Sequence, residues 1–294
     1  LLLSIAGCGG SRDHLPPVDL GAGFNDASGS GFNNIVFSAA PANDGSGNVY
    51  VGGGFTTYSG TATNRIARLK ADGILDTSFN VGAGFDDSVF SIAPAMDGTG
   101  DVYVGGAFAT YNGTPANRIV RLKADGTVNT SFNIGTGFIG GPGSLGIVTS
   151  IATANDGSGD VYVGGDFIVY DGISVGGIVR LNANGTVDTG FAIGTGFSSL
   201  VHSVAAANDG SGDVYVGGSF SFYNGAPVNG IVRLNANGTA DQGFAIGNGF
   251  SFDVFSIAPA NDGSRDVFVV GEFSAYNGTT ARRVARLDPD GTMD

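Results

Sequence analysis

Tryptophan is absent from this 294-residue chain, and it holds only one Cys, one Glu, two Lys and two His. Each scarcity excludes something. A lone cysteine, Cys8, permits no disulfide within the chain, so no disulfide framework staples the fold. Two lysines, no basic run and a net charge of −13 leave no positive face for a phosphate backbone, which argues against nucleic acid as a partner. The apolar N-terminal stretch is shorter than the about 20 residues that a membrane-crossing helix takes. The two histidines, His14 and His202, sit at unrelated places and suggest neither a metal pair nor a catalytic triad.

What the chain has in abundance points one way. Glycine reaches 53 residues without the three-residue period of collagen, alongside 21 Phe and 9 Tyr that a flexible linker would lack. With 42% hydrophobic residues the chain can pack a core. Acid is carried by 25 Asp against the single Glu272. Aspartate favours turns, because its short side chain bonds nearby backbone N–H groups, so the excess is first a count of turns. Many tight turns between aromatic and β-branched segments describe an all-β protein.

A repeat dominates the sequence. Val49-Tyr50-Val51-Gly52-Gly53 returns at Val102, Val161 and Val214, and in altered form as Val267-Phe268-Val269-Val270-Gly271, with starts 53, 59, 53 and 53 residues apart. The six extra residues of the longer interval fall near 140–146, which reads as an inserted loop. One unit divides into four short strands, at 89–93, 102–108, 118–122 and a fourth opening at 131–135. Asn-Gly and Asp-Gly dipeptides bound them and supply the positive φ of hairpin turns. Four antiparallel strands in about 53 residues is the size of one propeller blade. The segment from Val18 to Phe24 matches the fourth-strand text from Phe79 to Phe85, and the chain stops where that strand would begin again. The expectation is a five-bladed β-propeller over 18–294, its ring closed by the N-terminal strand, which removes the exposed sheet edges of an open array.

Val-Gly-Gly-x-Phe, then Tyr-Asn-Gly, then Arg-Leu-x-x-Asp/Asn-Gly-Thr-x-Asp-x-x-Phe resembles the delta-60 repeat family of bacteria, visible at 104–132 and again at 216–244. The resemblance implies β-propeller repeats and brings no catalytic residue with it. A longer Asn-Asp-Gly-Ser-Gly-Asp turn stands where that family has a short Pro-Asp-Gly-Lys.

At the N-terminus, Ile5-Ala6-Gly7-Cys8 resembles the lipobox of bacterial lipoproteins. It implies a signal-peptide remnant at 1–7, lipidation of Cys8, and a flexible tether over 8–17. The expected location is therefore outside the cytoplasm: an outer-membrane or cell-surface lipoprotein, or an extracellular protein. The membrane would be touched only through the lipid.

Three sets of residues are candidates for chemistry. Asp97 and Asp101, Asp156 and Asp160, Asp209 and Asp213, Asp262 and Asp266, with Asp44 and Asn48 in the first copy, put oxygens four apart around glycine. That spacing faintly matches calcium loops, yet calcium takes six to eight oxygens and each loop offers two side chains without Glu. Turns held by side-chain bonds are the competing reading. No other cofactor is expected. Arg68, Arg121, Arg180, Arg233 and Arg286 recur once per repeat and would either ring an anion or pair with turn acids such as Asp76, Asp188 and Asp241. Tyr111, Tyr170, Tyr223 and Tyr276 offer rings for a sugar to stack on. Asn112-Gly113-Thr114 fits a glycosylation sequon but reads better as a turn.

A catalytic site singles out one acid or nucleophile, which breaks repeat symmetry. The expectation is a non-enzymatic surface scaffold that binds an unidentified protein or glycan. Alternatives are a multivalent lectin-like propeller, a subunit self-assembling into a filament through its Gly-rich outer strands, and, with least support, a glycoside-processing enzyme. A homo-oligomer fits the filament reading.

Overall fold

The computed structural model describes residues 4–5 and 31–294. Cys8, the tether at 8–17, the closing segment at 18–24 and His14 lie outside the described residues, as does most of the signal-peptide remnant. Ser4–Ile5 runs parallel to Ser38–Ala39 of the first sheet.

Every ladder among the remaining residues is antiparallel, and no helix is present among them. Each of the five repeats folds into one sheet whose first, second and third strands follow chain order. These are Val36–Pro41, Val49–Gly53 and Ile66–Leu69; Val89–Pro94, Val102–Gly106 and Ile119–Leu122; Ile147–Thr153, Val161–Asp166 and Ile178–Leu181; Val201–Ala206, Val214–Gly218 and Ile231–Leu234; and Val254–Pro259, Val267–Gly271 and Val284–Leu287. A two-residue hairpin links the second strand to the third, as in Thr110–Tyr111 with Thr114–Pro115. Its tip needs two positive φ angles, and Asn112 at 50° with Gly113 at 75° supplies them.

The chain separates into two compact units, residues 3–130 with the main sheets of the first two repeats and residues 131–294 with those of the other three. Each has its own apolar core. In the first, Tyr50, Ile66, Phe85, Val89, Val104 and Phe108 are packed together and almost fully buried. In the second, Ile231, Val254, Val267, Val269 and Phe273 do the same. An aromatic trio recurs in every repeat: Phe85 lies 4.2 Å from Phe108 and 4.6 Å from Tyr111, centre to centre, and Phe138, Phe167 and Tyr170 repeat the arrangement. Tilted pairs of this kind contribute about 0.5–1.5 kcal/mol each beyond the area they bury.

Two expectations need correction. The fourth strand is reduced to a single bridge, Val128 to Leu122 in the second repeat and its equivalents elsewhere. Residues 131–135 are turns instead, because the Asn133 side chain accepts a bond from the Gly135 backbone N–H at 3.0 Å and Gly135 and Gly137 take positive φ. The glycine-rich strand is also not an outer one. It is the middle strand of each sheet, paired on both sides, and so presents no free edge. Crowding explains its glycines: a Cβ on Gly165 would sit 2.2 Å from the Ile147 carbonyl oxygen.

Candidate functional site

The acidic turns and the strand arginines find each other. In the third repeat the Asp156 carboxylate accepts from the Ser158 backbone N–H at 3.0 Å and from Arg180 Nη2 at 2.6 Å. Asp160 accepts from Arg180 Nε at 3.0 Å, and Arg180 Nη1 donates to the Tyr162 hydroxyl at 3.1 Å. Asp188 completes the set at 3.3 Å. Arg121 holds Asp97 and Asp101, Arg233 holds Asp209, Asp213 and Asp241, and Arg286 holds Asp262, Asp266 and Asp294. The first repeat has Asn48 in place of the second acid, and there Arg68 holds Asp76 at 2.7 Å. The expected partners Asp76, Asp188 and Asp241 are thus paired, and the loop acids join them.

A guanidinium therefore occupies the place between the two loop carboxylates that a cation would take. Burial alone would raise the Asp156 and Asp209 carboxyls, but bonds from Ser158 and Ser211, then from Arg180 and Arg233, hold both below the usual carboxylate range. Asp266, Asp288 and Asp294 bring one oxygen each to within 4.8 Å of the others, with Arg286 against two of them. Four of the five arginines are shut in as well: the Arg180 side chain is 7% exposed, stacked 5.4 Å from the Tyr162 ring centre.

The tyrosines proposed for sugar stacking are core residues. Tyr111, Tyr170, Tyr223 and Tyr276 are each at most 3% exposed. Each hydroxyl donates to a turn glycine carbonyl, as Tyr170 does to Gly185 at 2.7 Å, and burial pushes it well above the ordinary tyrosine value. That stacking role is withdrawn.

The repeats stop agreeing at a few positions. Each first strand holds a bulge after its opening valine, or one residue later in the third repeat's longer strand, and the extra residue changes from copy to copy: Phe37 and Phe90 in the first unit, Thr149, His202 and Phe255 in the second. Bulges re-aim side chains, which suits a variable position. A second variable residue follows the second strand's glycine pair, as Asp166, Ser219 and Glu272 in the unit 131–294. His202 Nε2 lies 2.8 Å from Ser219 Oγ, and the Phe255 ring stands edge-on to the imidazole at 5.4 Å. Glu272 donates its backbone N–H to the Asp253 carbonyl at 2.9 Å. The insertion at 140–146 folds onto the same end of the sheets, where Leu145 N–H donates to the Asp166 carboxylate at 2.8 Å and Ser144 Oγ to the Asp166 carbonyl at 2.7 Å.

Burial lowers His202 below the usual imidazole range, and the Asp253 charge only partly restores it, so the ring is neutral at pH 7. Among the described residues no carboxylate hydrogen-bonds to this imidazole, so the serine–histidine pair lacks an orienting acid. Leu145, whose backbone bonds Asp166, and Phe252, next to Asp253 in the chain, are 72% and 65% accessible. Two acids, a neutral imidazole, a hydroxyl and apolar side chains suit hydrogen bonding to a polar surface. The pairing of His202 with Ser219 was missed from sequence, because it depends on the bulge that pairs Val201 with Gly218. The one available signal was the changing residue between Val and Ser in each first strand.

The sequence profile of a family described as a domain of unknown function (DUF5122) beta-propeller matches residues 45–79, 98–132, 156–191, 210–244 and 266–294, together more than half of the chain. No curated protein matches. Among solved structures, the crystal structure of the WD40 beta propeller domain of Doa1 superposes with a TM-score of 0.53 at 15% identity, covering 86% of this chain and 63% of that one. At that identity the likeness concerns the fold alone.

Proposed function

The chain belongs to the DUF5122 beta-propeller family, and from that premise we propose that it is a non-enzymatic scaffold that binds a protein or glycan at the variable end of residues 131–294. The observation that carries this reading is the gathering of pattern-breaking residues beside one another. His202 bonds Ser219 and meets Phe255, and Asp253, whose charge acts on His202, accepts from the Glu272 backbone, on a framework whose other polar groups are committed to one another. Variable side chains on a rigid support are where binding concentrates. The same reading keeps the chain outside the cytoplasm through a lipid on Cys8. A bacterial host expressing the Cys8→Ala variant would then release to the aqueous fraction what the parent chain leaves in membranes.

The glycan form of the reading is supported by hydroxyl- and carboxylate-bearing residues beside exposed Phe252, which takes over the stacking role withdrawn from the tyrosines. A glycan array probed with the chain and with an Asp166→Ala, His202→Ala, Glu272→Ala variant is the direct test. Hits that vanish in the variant support glycan binding here, and a blank array leaves the protein partner. Hydrolysis of nitrophenyl ester or glycoside probes, lost on Ser219→Ala or Glu272→Ala, would overturn the non-enzymatic reading.

A further inference from the structure

An asparagine followed by glycine can lose its side-chain amide, because the glycine nitrogen reaches the asparagine Cγ with no Cβ of its own in the way. The chain holds seven such pairs, and the fold divides them into two classes. The attacking nitrogen must first give up its proton. In four pairs that N–H is already spent on a backbone carbonyl. Gly185 donates to Asn182 and Gly238 to Asn235 at 2.8 Å, and Gly230 donates to Phe220 and Gly249 to Ile246 at 2.9 Å. All four of these glycines are buried. The other three pairs are the hairpin tips Asn112-Gly113, Asn224-Gly225 and Asn277-Gly278. Both residues of each tip are exposed, and the glycine N–H makes no hydrogen bond among the described residues. A Cβ on any of the three tip glycines would meet nothing within 4 Å, so the approach is open.

The tips also prepare the carbon that is attacked. Asn112 Oδ1 accepts from the Ala83 backbone N–H at 3.0 Å, Asn224 Oδ1 from that of Thr195 at 3.2 Å, and Asn277 Oδ1 from that of Asn248 at 3.1 Å. A donor on that oxygen draws charge from Cγ and stabilises the negative charge that forms as nitrogen adds. The third repeat shows that the fold accepts the product. Asp171 stands at its hairpin tip with a φ of 45°, against 45–50° for the three asparagines. Its carboxylate takes the Thr136 backbone N–H at 3.0 Å in the same way.

We propose that Asn112, Asn224 and Asn277 are sites of intramolecular deamidation, and that the fold protects the other four asparagines. The Gly113 nitrogen, its proton passed to water, bonds to Asn112 Cγ. The Cγ–Nδ2 bond then breaks, and Nδ2 takes up a proton and leaves as ammonia. Water opens the resulting cyclic imide, so the net change is water consumed and ammonia released, with nothing oxidised or reduced. Cleavage of the new bond to Cγ leaves aspartate, which accepts from Ala83 as Asp171 does from Thr136. Cleavage of the original peptide bond leaves isoaspartate, which lengthens the main chain by one carbon at the turn. Each event adds a negative charge to an exposed tip. None of the three tips belongs to the variable end of residues 131–294, so this chemistry stands or falls apart from the proposed function.

Peptide mapping by mass spectrometry, on the full chain held folded at mildly alkaline pH, tests it. The three tips convert at least roughly tenfold faster than Asn184, Asn229, Asn237 and Asn248, the factor that an opening cost of about 1.4 kcal/mol imposes on a protected pair. In concentrated urea all seven convert at similar rates, because the hydrogen bonds that separate the classes are gone. Asn224→Asp keeps the melting temperature, and a marked fall would overturn aspartate as the tolerated product. Equal rates at all seven sites in the folded chain, or tips that stay intact while the unfolded chain converts, overturn the proposal.

Discussion

At the scale of single residues, the repeat supplies its own controls. Thr63 is 3% exposed, and its hydroxyl is the one buried side-chain polar atom among the described residues without a partner. Its counterparts are Ala116, Val175, Val228 and Ala281, which need none. Thr63→Val removes the stranded hydroxyl at nearly constant volume and raises stability by about 1 kcal/mol, read as a shift in denaturant midpoint. The arginines provide a graded series. Arg233 is 10% exposed and Arg286 33%. Arg233→Met strips a buried charge from Asp209, Asp213 and Asp241 and costs about 3–5 kcal/mol, because the carboxylates remain without their partner. The same change at Arg286 costs less, since water reaches its acids, and equal losses at both sites would refute this account.

At the scale of the element, the middle strand is the sensitive one. A side chain at Gly164 has no room beneath Val201 and Val204, and Gly164→Val should destabilise by about 1–3 kcal/mol through overpacking. How much of each element was legible follows from its pattern. The first three strands carry β-branched and aromatic residues between Asp-Gly and Asn-Gly turns, and they formed within a few residues of where they were expected. The fourth shows the same composition, Ser131-Phe132-Asn133-Ile134-Gly135, but the Asn133 side chain takes the Gly135 N–H and turns the chain. A local side-chain bond outcompeted the ladder, and composition does not register that contest.

At the scale of the whole molecule, acid and cations probe the charge network. Asp97, Asp156 and Asp209 have carboxyls held below their ordinary value, although burial alone would raise them; side-chain bonds from Thr99, Ser158 and Ser211, with those from the arginines, prevail. Their stabilisation is present in full above the ordinary aspartate range and is lost as pH falls through that range and below it. Melting temperatures should thus be flat near neutrality and fall in acid, and Arg180→Met should flatten the acid limb. Calcium must displace a guanidinium to reach the paired loop carboxylates, so millimolar calcium should leave the melting temperature unchanged. A rise on adding calcium, abolished by Asp156→Asn with Asp160→Asn, would restore calcium loops as the better reading.

The sequence by itself determined the all-β class, the five repeats and the position of most strands and turns, and it offered the pairing of strand arginines with turn acids as one of two readings. Those follow from local chemistry: side-chain alternation, glycine's positive φ, and acids placed at fixed distances from a basic residue. Two matters were left to the tertiary structure. Tyr111 and its equivalents became core rather than sugar platforms, because only packing shows which face of a two-residue hairpin is covered. His202 met Ser219 because a bulge shifted the register by one residue, which no periodicity announces. Each depends on contacts between residues far apart in the chain, and such contacts are set by how sheets stack, not by the order of residues along a strand.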